Sequence, residues 1–495
     1  MTAVIGAAQS ILRANGYMPA WLPRGADGNP ATIFANYLTG AFWHKGPKND
    51  NTAFKASASG VFTRTTTKSY LNSSAARVTA AINAEAFDFS AAAVALGLST
   101  EPSRTNIVLN SATLVTQNCT VTAQAYTLSF EGTGSVALTG AFAGSLVGTG
   151  TGVGSRVTLT FTPTAGTLTL TPTGSVTNAQ LEASTFATSY IPTTGAALTR
   201  AQDFLTFGPV EVPGAQELVV NGDFSSGTSN WTPVTIDGTG TMPTLAVVGG
   251  QLQVTSNGNF GGASQAFATD IGTAYVLTVG AFGGSNFLAV ISNTAGGAVQ
   301  IAGATTSPIT FVATAATTYV ILRRHNSTAG VVTFDNISIK KALPFVGYNQ
   351  TRGAFLWEGQ NDQTNLTATS SAVFNFDDGT PNNVINAIFG GGETIRIGIT
   401  AGGVLQAAFV ANVTVTTGIR HRVLLLWENN RVECWVDGVQ IGVTDTLATI
   451  PAVTNLKLGR RYDGGTPLAG HIAQLAYFDN PPWGRAAALS AIGGA

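Results

Sequence analysis

Two carboxylates flank an indole at alternate positions near the C-terminus: Glu433, Trp435 and Asp437, in the run Val432-Glu433-Cys434-Trp435-Val436-Asp437-Gly438. Alternation on a strand puts all three on one face. A carboxyl pair is the machinery of glycoside hydrolysis, set about 5–5.5 Å apart in retaining enzymes and wider in inverting ones. Asp437-Gly438, however, is a hairpin-turn signal, because both residues tolerate positive φ. One of the two acids therefore has a structural task, and no catalytic residue is assigned. The four histidines, His44, His325, His421 and His471, are scattered, and none has a second metal ligand at zinc-site spacing. The glycine-rich stretch Gly148–Gly154 is not followed by Lys-Ser/Thr, so it is no phosphate loop. A Gly-x-Ser-x-Gly hydrolase elbow needs a strand–turn–helix context that this chain hardly offers.

Binding asks for less: flat rings against sugar faces, and amides or carboxylates on the hydroxyls. The candidates are Trp231, Trp435, Tyr462, Asp463, Asn382 and Asn383. Tyr462-Asp463-Gly464-Gly465 reads as an exposed loop and is the first choice for a contact. Asn382 and Asn383 lie in the loop after Asp377-Asp378-Gly379. Trp231 reads as core of its own module. Trp435 points away from Cys434, towards the other face of its sheet, and is expected to be exposed.

The elements that must hold these residues are strands. Charged residues are 10% of the 495, against about 25% in average globular proteins, while hydrophobic residues are 44%. Low charge without low hydrophobicity excludes a disordered chain. The 58 glycines supply turns. Runs such as Arg156-Val157-Thr158-Leu159-Thr160-Phe161 and Thr167-Leu168-Thr169-Leu170-Thr171 alternate with period two. The fold class is all-β: tandem β-sandwich (jelly-roll) domains, with a short N-terminal helix and an irregular anchor arm. The helix is read from the apolar stripe Val4, Ile5, Ala8, Ile11 and Leu12, which makes a poor signal peptide. The divisions are an N-terminal segment over 1–50, a β-rich connector over 51–106, and a β-sandwich over 107–208. A jelly roll over 209–343 and a second sandwich with a C-terminal tail over 344–495 complete the chain. No membrane span is legible. A net charge of −1 gives no basic field for nucleic acid. Cys119 and Cys434 are read as buried apolar side chains, not a disulfide.

Two stretches resemble segments of tailed-bacteriophage structural proteins. The first carries Arg64, Gly97, Leu98, Glu101, Arg104, Thr105 and Asn106; Glu101 and Arg104 are expected to pair across a turn at Pro102. The second is Ala179-Gln180-Leu181-Glu182-Ala183 with Phe186-Ala187-Thr188-Ser189-Tyr190-Ile191-Pro192, continued by Arg200-Ala201-Gln202-Asp203, where Gln202 departs from the family's pattern. The run from Glu217 to Phe224, with Trp231 and the closing Phe334-Asp335-Asn336-Ile337, is similar to the galactose-binding-like jelly roll of carbohydrate-binding modules. That resemblance implies a structural calcium with Asp223 and Asp335 as ligands; the residues themselves also allow a simple Asx turn at Asn221–Asp223. The run from Arg422 to Leu475 resembles concanavalin/laminin-G-like sandwiches, without the Glu-x-Asp-x-x-Glu pattern of the enzymes built on that fold. Together the resemblances imply a non-enzymatic virion surface protein, a fibre or a head or tail decoration, assembled in the host cytoplasm. It would be a homotrimer, bind other virion proteins through its N-terminal segment, and attach to bacterial surface polysaccharide through carbohydrate-binding sandwiches. The alternatives are an N-terminal arm packing on its own first domain, a purely structural capsid or tail component, and a polysaccharide depolymerase. No cofactor beyond the calcium is implied.

Overall fold

The computed structural model describes residues 31–479, apart from 32, 45–59, 209, 212–214, 237–240, 259, 298–299, 305–308, 326, 344–347, 364–370, 391–393, 412–414, 429 and 463–464. The expected helix near the N-terminus, most of the anchor segment and the C-terminal tail lie outside the described residues. Within them the chain is all-β, with antiparallel pairing throughout the described ladders. Both cysteines are buried and free.

The largest body is a two-sheet sandwich assembled from distant parts of the sequence. One sheet runs Ala41–His44, Ile33–Asn36, Gly470–Phe478, Arg352–Asn361, Arg420–Glu428, Arg431–Val436, Val439–Asp445. Ala95–Thr100 also pairs with Gly470–Phe478, and Phe87–Phe89 pairs with Ala95–Thr100. The facing sheet runs Gly60–Thr63, Phe204–Phe207, Asn455–Leu458, Ser371–Asp377, Val384–Gly390, Thr394–Ala401, Val404–Ala411. Alternate residues of both meet in one core that includes Phe355, Trp357, Trp427, Tyr477, Phe374, Phe376 and Phe389. Gly353 is needed there, because a Cβ on it would stand 2.2 Å from the Trp427 ring. The hairpin read at Asp437-Gly438 is present, with φ of 49° and 79°. It joins Arg431–Val436 to Val439–Asp445.

Two further sandwiches are looped out between strands of this base. The first has the sheets Val157–Phe161, Tyr126–Glu131, Thr177–Glu182 and Gly144–Val147, Ser135–Gly140, Gly166–Thr173, Gln117–Val121. They close on Leu128, Phe130, Val136, Leu168 and Leu181. Its stretch of chain lies between two base strands, Ala95–Thr100 and Phe204–Phe207. The second spans residues 217–343, between Phe204–Phe207 and Arg352–Asn361. Its five-stranded sheet runs Thr232–Val234, Gly262–Ala268, Thr317–Arg324, Phe287–Ser292, Gln300–Ala304. It faces a sheet centred on the long strand Ala329–Leu343.

The first looped-out sandwich is fastened to the base by a buried ionic joint. Asp203 takes Arg64 at 2.8 Å and Lys68 at 2.7 Å. Glu101 takes Lys68 at 3.0 Å, Arg200 at 2.9 Å, and the amide and hydroxyl of Ser189 at 2.7 Å. Burial alone would raise the Glu101 pKa; Arg200, Lys68 and Ser189 together pull it far below the carboxylate range. The expected Glu101–Arg104 pair does not form. Glu101 turns inward to Lys68 and Arg200, while the Arg104 guanidinium lies over the Phe186 ring, 5.5 Å from its centre. Asn106, fully buried, donates to the carbonyls of Ala179 and Ile191 and accepts from Val108 and Leu181. Gln180 and Glu182 hold Thr188 and Ile191 in the same way.

Candidate functional site

At one end of the strand Ser371–Asp377 the chain turns through Asp378-Gly379-Thr380-Pro381-Asn382-Asn383. Asp377, Asn375 on the same strand, and Lys457, the ladder partner of Asn375, alternate with the core residues Phe374, Phe376 and Leu456, so they lie on the outer face of the seven-stranded sheet. Lys457 reaches Asp377 at 2.7 Å and the carbonyl of Tyr462 at 3.0 Å. Asn375 donates to the second Asp377 oxygen at 2.5 Å. Burial raises the Asp377 pKa against the pull of Lys457, and burial lowers that of Lys457 against the pull of Asp377. Both shifts express one cause, a carboxylate–ammonium pair with little water around it.

This pair ties together two of the loops singled out in the sequence. Asp378 stiffens the first: its carboxylate accepts from the amide and hydroxyl of Thr380 and, at 2.7 Å, from Asn383. Asn383 in turn accepts from the Gly402 amide, which braces the loop on the neighbouring hairpin. Asn382 is exposed. Tyr462 is half-buried, and the Arg461 guanidinium lies 5.3 Å from its ring centre. Asp463 lies outside the described residues. The rim therefore presents an amide, a ring and a guanidinium, while its two described carboxylates are engaged in holding the loops.

The other candidates stand elsewhere. Trp231 is 5% exposed, tilted against Phe224 in the core of the 217–343 body, and its indole donates to the Asn221 carbonyl. Trp435, expected to be exposed, is buried at 7%. It does face away from the main core, as the alternation indicates. That outer face carries a second apolar layer of Phe34, Leu356, Leu424, Leu426 and Phe478, which the sequence around Trp435 does not reveal. Glu433 is held by Arg431 at 2.7 Å, and Asp437 by His421 and the Arg422 amide, each at 2.8 Å. The two acids are thus turn and strand fasteners.

Asp223 and Asp335 sit on neighbouring segments, since Ile337 donates to the Gly222 carbonyl. Asp223 is exposed, and both amide and hydroxyl of Ser225 donate to it, which lowers its pKa. Asp335 accepts from the Asn336 amide. Calcium takes six to eight oxygens, and two carboxylates already folded into local turns do not supply that shell. No group of three or more His, Cys, Asp or Glu side chains suited to a metal occurs among the described residues. Nor, among them, is any helix long and apolar enough to cross a membrane.

Residues 361–482 match the family model of the concanavalin A-like lectin/glucanases superfamily. No curated protein sequence matches the chain. Among solved structures, the CBM40 of Ruminococcus gnavus IT-sialidase bound to α2,3-sialyllactose is 14% identical. It covers 30% of this chain and 84% of its own, with a TM-score of 0.26. A heptameric SAP-like pentraxin from Limulus polyphemus is 11% identical over 46% of this chain and 86% of its own, with a TM-score of 0.23. Domain 4 of AbnA, a GH43 extracellular arabinanase from Geobacillus stearothermophilus in complex with arabinotriose, is 11% identical. It covers 53% of this chain and 87% of its own, with a TM-score of 0.24.

Proposed function

We propose that this chain is a non-catalytic glycan-binding protein of a phage particle surface, and that the rim formed by the Asp377–Asn383 loop and the Tyr462 turn is its neutral-glycan contact. One observation carries the reading: the described carboxylates of the rim are engaged in structure, while Asn382 and the Tyr462 ring remain presented. Such a surface can stack on a sugar face and bond its hydroxyls. Among its described residues there is no free acid–base pair with which to cut. The match of residues 361–482 to a family of lectins and glucanases supports a saccharide partner. The virion setting is supported by the resemblance at Gly97–Asn106 and Gln180–Pro192, residues that here build the joint between two sandwiches. Several weak sites on one particle would give attachment through avidity.

The test is binding of the full chain to an array of bacterial surface polysaccharides, repeated with Asn382→Ala/Tyr462→Ala. Lys457 contacts the backbone carbonyl of Tyr462, so the double variant keeps that bond. Loss of about ten-fold or more in affinity, the equivalent of two modest contacts, at an unchanged melting temperature is expected. No binding by the parent chain sinks the reading. Release of reducing ends from the polysaccharide replaces it with depolymerisation, and immunogold labelling of intact particles checks the virion setting.

A further inference from the structure

One buried cation of the 217–343 body has no counter-charge among the described residues. Arg323, 2% exposed, stands on the strand Thr317–Arg324 opposite Gly262. It shares the outward face of the five-stranded sheet with Ile321, which packs in a small cluster with Val234, Leu288 and Val290. Among the described residues no carboxylate pairs with Arg323, and its Nε and Nη1 are buried without a hydrogen-bond partner. Burial depresses its pKa with nothing opposing. Arg64 and Arg200, equally buried, show the ordinary arrangement, each with a carboxylate and backbone carbonyls around it. A buried charge left alone is strongly unfavourable. Perturbed ionisable groups of this kind mark functional sites.

Two neighbours point to the kind of ligand. Phe260 lies over the Arg323 guanidinium, 5.1 Å from its ring centre, and is only half-buried. It sits in the turn between Gln251–Asn257 and Gly262–Ala268 with φ of 56°, a left-handed conformation that a bulky aromatic seldom adopts. Backbone strain of this sort, of order 1–3 kcal/mol, gathers at ligand clamps. Ser264, on the same face and 4% exposed, also has a hydroxyl without a partner. Gly262 leaves room for the Arg323 side chain, since a Cβ there would stand 2.5 Å from that of Arg323, and Ser264 is the next residue along on that face.

We infer that Arg323, Phe260 and Ser264 form a second site, for a sugar bearing a carboxylate. The guanidinium fork takes the carboxylate through Nε and Nη1, the ring takes the C–H face of the pyranose, and Ser264 takes a hydroxyl. Both nitrogens are covered, so the carboxylate reaches them with a local rearrangement beside the half-buried Phe260 ring. This inference extends the glycan-binding reading to an acidic saccharide on another body of the molecule.

Calorimetry on the full chain with oligogalacturonate and with its methyl ester isolates the carboxylate, and sialyllactose in a parallel arm separates uronate from sialate. The acid is expected to bind and the ester not. Arg323→Met should weaken acid binding about ten-fold or more, as loss of a charge-assisted hydrogen bond implies. Its melting temperature should be unchanged or higher, because an uncompensated charge has been removed. A purely structural Arg323 would instead lower the melting temperature on substitution. Equal binding of acid and ester, no binding of either acidic sugar, undiminished binding by Arg323→Met, or equal binding of a poly-glutamate peptide each overturns the site. Neutral-glycan binding that survives Arg323→Met but not Asn382→Ala/Tyr462→Ala tells the two sites apart.

Discussion

His471 lies between two carboxylates, with Nε2 3.1 Å from Asp88 and Nδ1 2.7 Å from Asp362. Burial alone would depress its pKa, but Asp362 and Asp88 outweigh burial and raise it from 6.5 to about 9. A histidine with a raised folded-state pKa stabilises the fold fully below the unfolded value, and that contribution fades as pH rises through the folded value. The window is therefore about pH 6.5 to 9. Denaturation of the parent chain should show stability falling across that window, by an amount on the order of 1–3 kcal/mol. In His471→Gln the same titration should be flatter. The position matters because Asp88 belongs to the strand Phe87–Phe89 and His471 to Gly470–Phe478, so the charge clips an early segment of the chain to a late one.

Joints between elements were the least legible part of the molecule. Alternation and turn chemistry gave the strands: Arg420–Glu428, Arg431–Val436 and the Asp437-Gly438 turn stand where the pattern puts them. Pairing across hundreds of residues leaves no local trace. Nothing around Phe204 announces that Leu205 pairs with Leu458, or around Ile33 that it pairs with Tyr477. The covered outer face behind Trp435 escaped for the same reason, since alternation tells which face a side chain takes and not what lies over it. Arg64, Glu101, Arg200 and Asp203 stood out as a motif, but only the structure gives them a physical task. Asp203→Asn would leave Arg64 and Lys68 buried with half their counter-charge. Breaking such a pair costs about 3–5 kcal/mol, and urea denaturation should register it. Glu101, whose pKa is depressed, contributes stability above its unfolded value that is lost as pH falls towards the folded one. Glu101→Gln should therefore reduce the acid sensitivity of the joint.

The three bodies are nested, not strung in line. The base sandwich draws its sheets from Ile33–Asn36, Gly60–Thr63, Ala95–Thr100, Phe204–Phe207 and the strands after Arg352. A fragment of residues 348–479 would lack six strands of the base and leave Asn455–Leu458, with Leu456 and Leu458, and Gly470–Phe478, with Leu475 and Tyr477, as open edges. It is expected to be aggregated or to bind hydrophobic dyes, as checked by gel filtration and dye fluorescence. Excision of residues 212–347, with a short flexible linker in their place, removes the 217–343 body and no strand of the base core. That shortened chain should keep the cooperative unfolding of the base in calorimetry and retain binding at the Tyr462 rim.

The nesting also sets an order of events at the ribosome. At about 5–20 residues per second, each looped-out sandwich emerges with all of its strands and can close while synthesis continues. The base cannot. Ile33–Asn36 and Ala95–Thr100 must wait for their common neighbour, Gly470–Phe478, the last described strand to be made. A chain whose translation stops early therefore carries finished modules on an unfinished base, with apolar strand edges open to chaperones and proteases. The late strand acts as a receipt for translation through Phe478, and only chains that carry it can close the base.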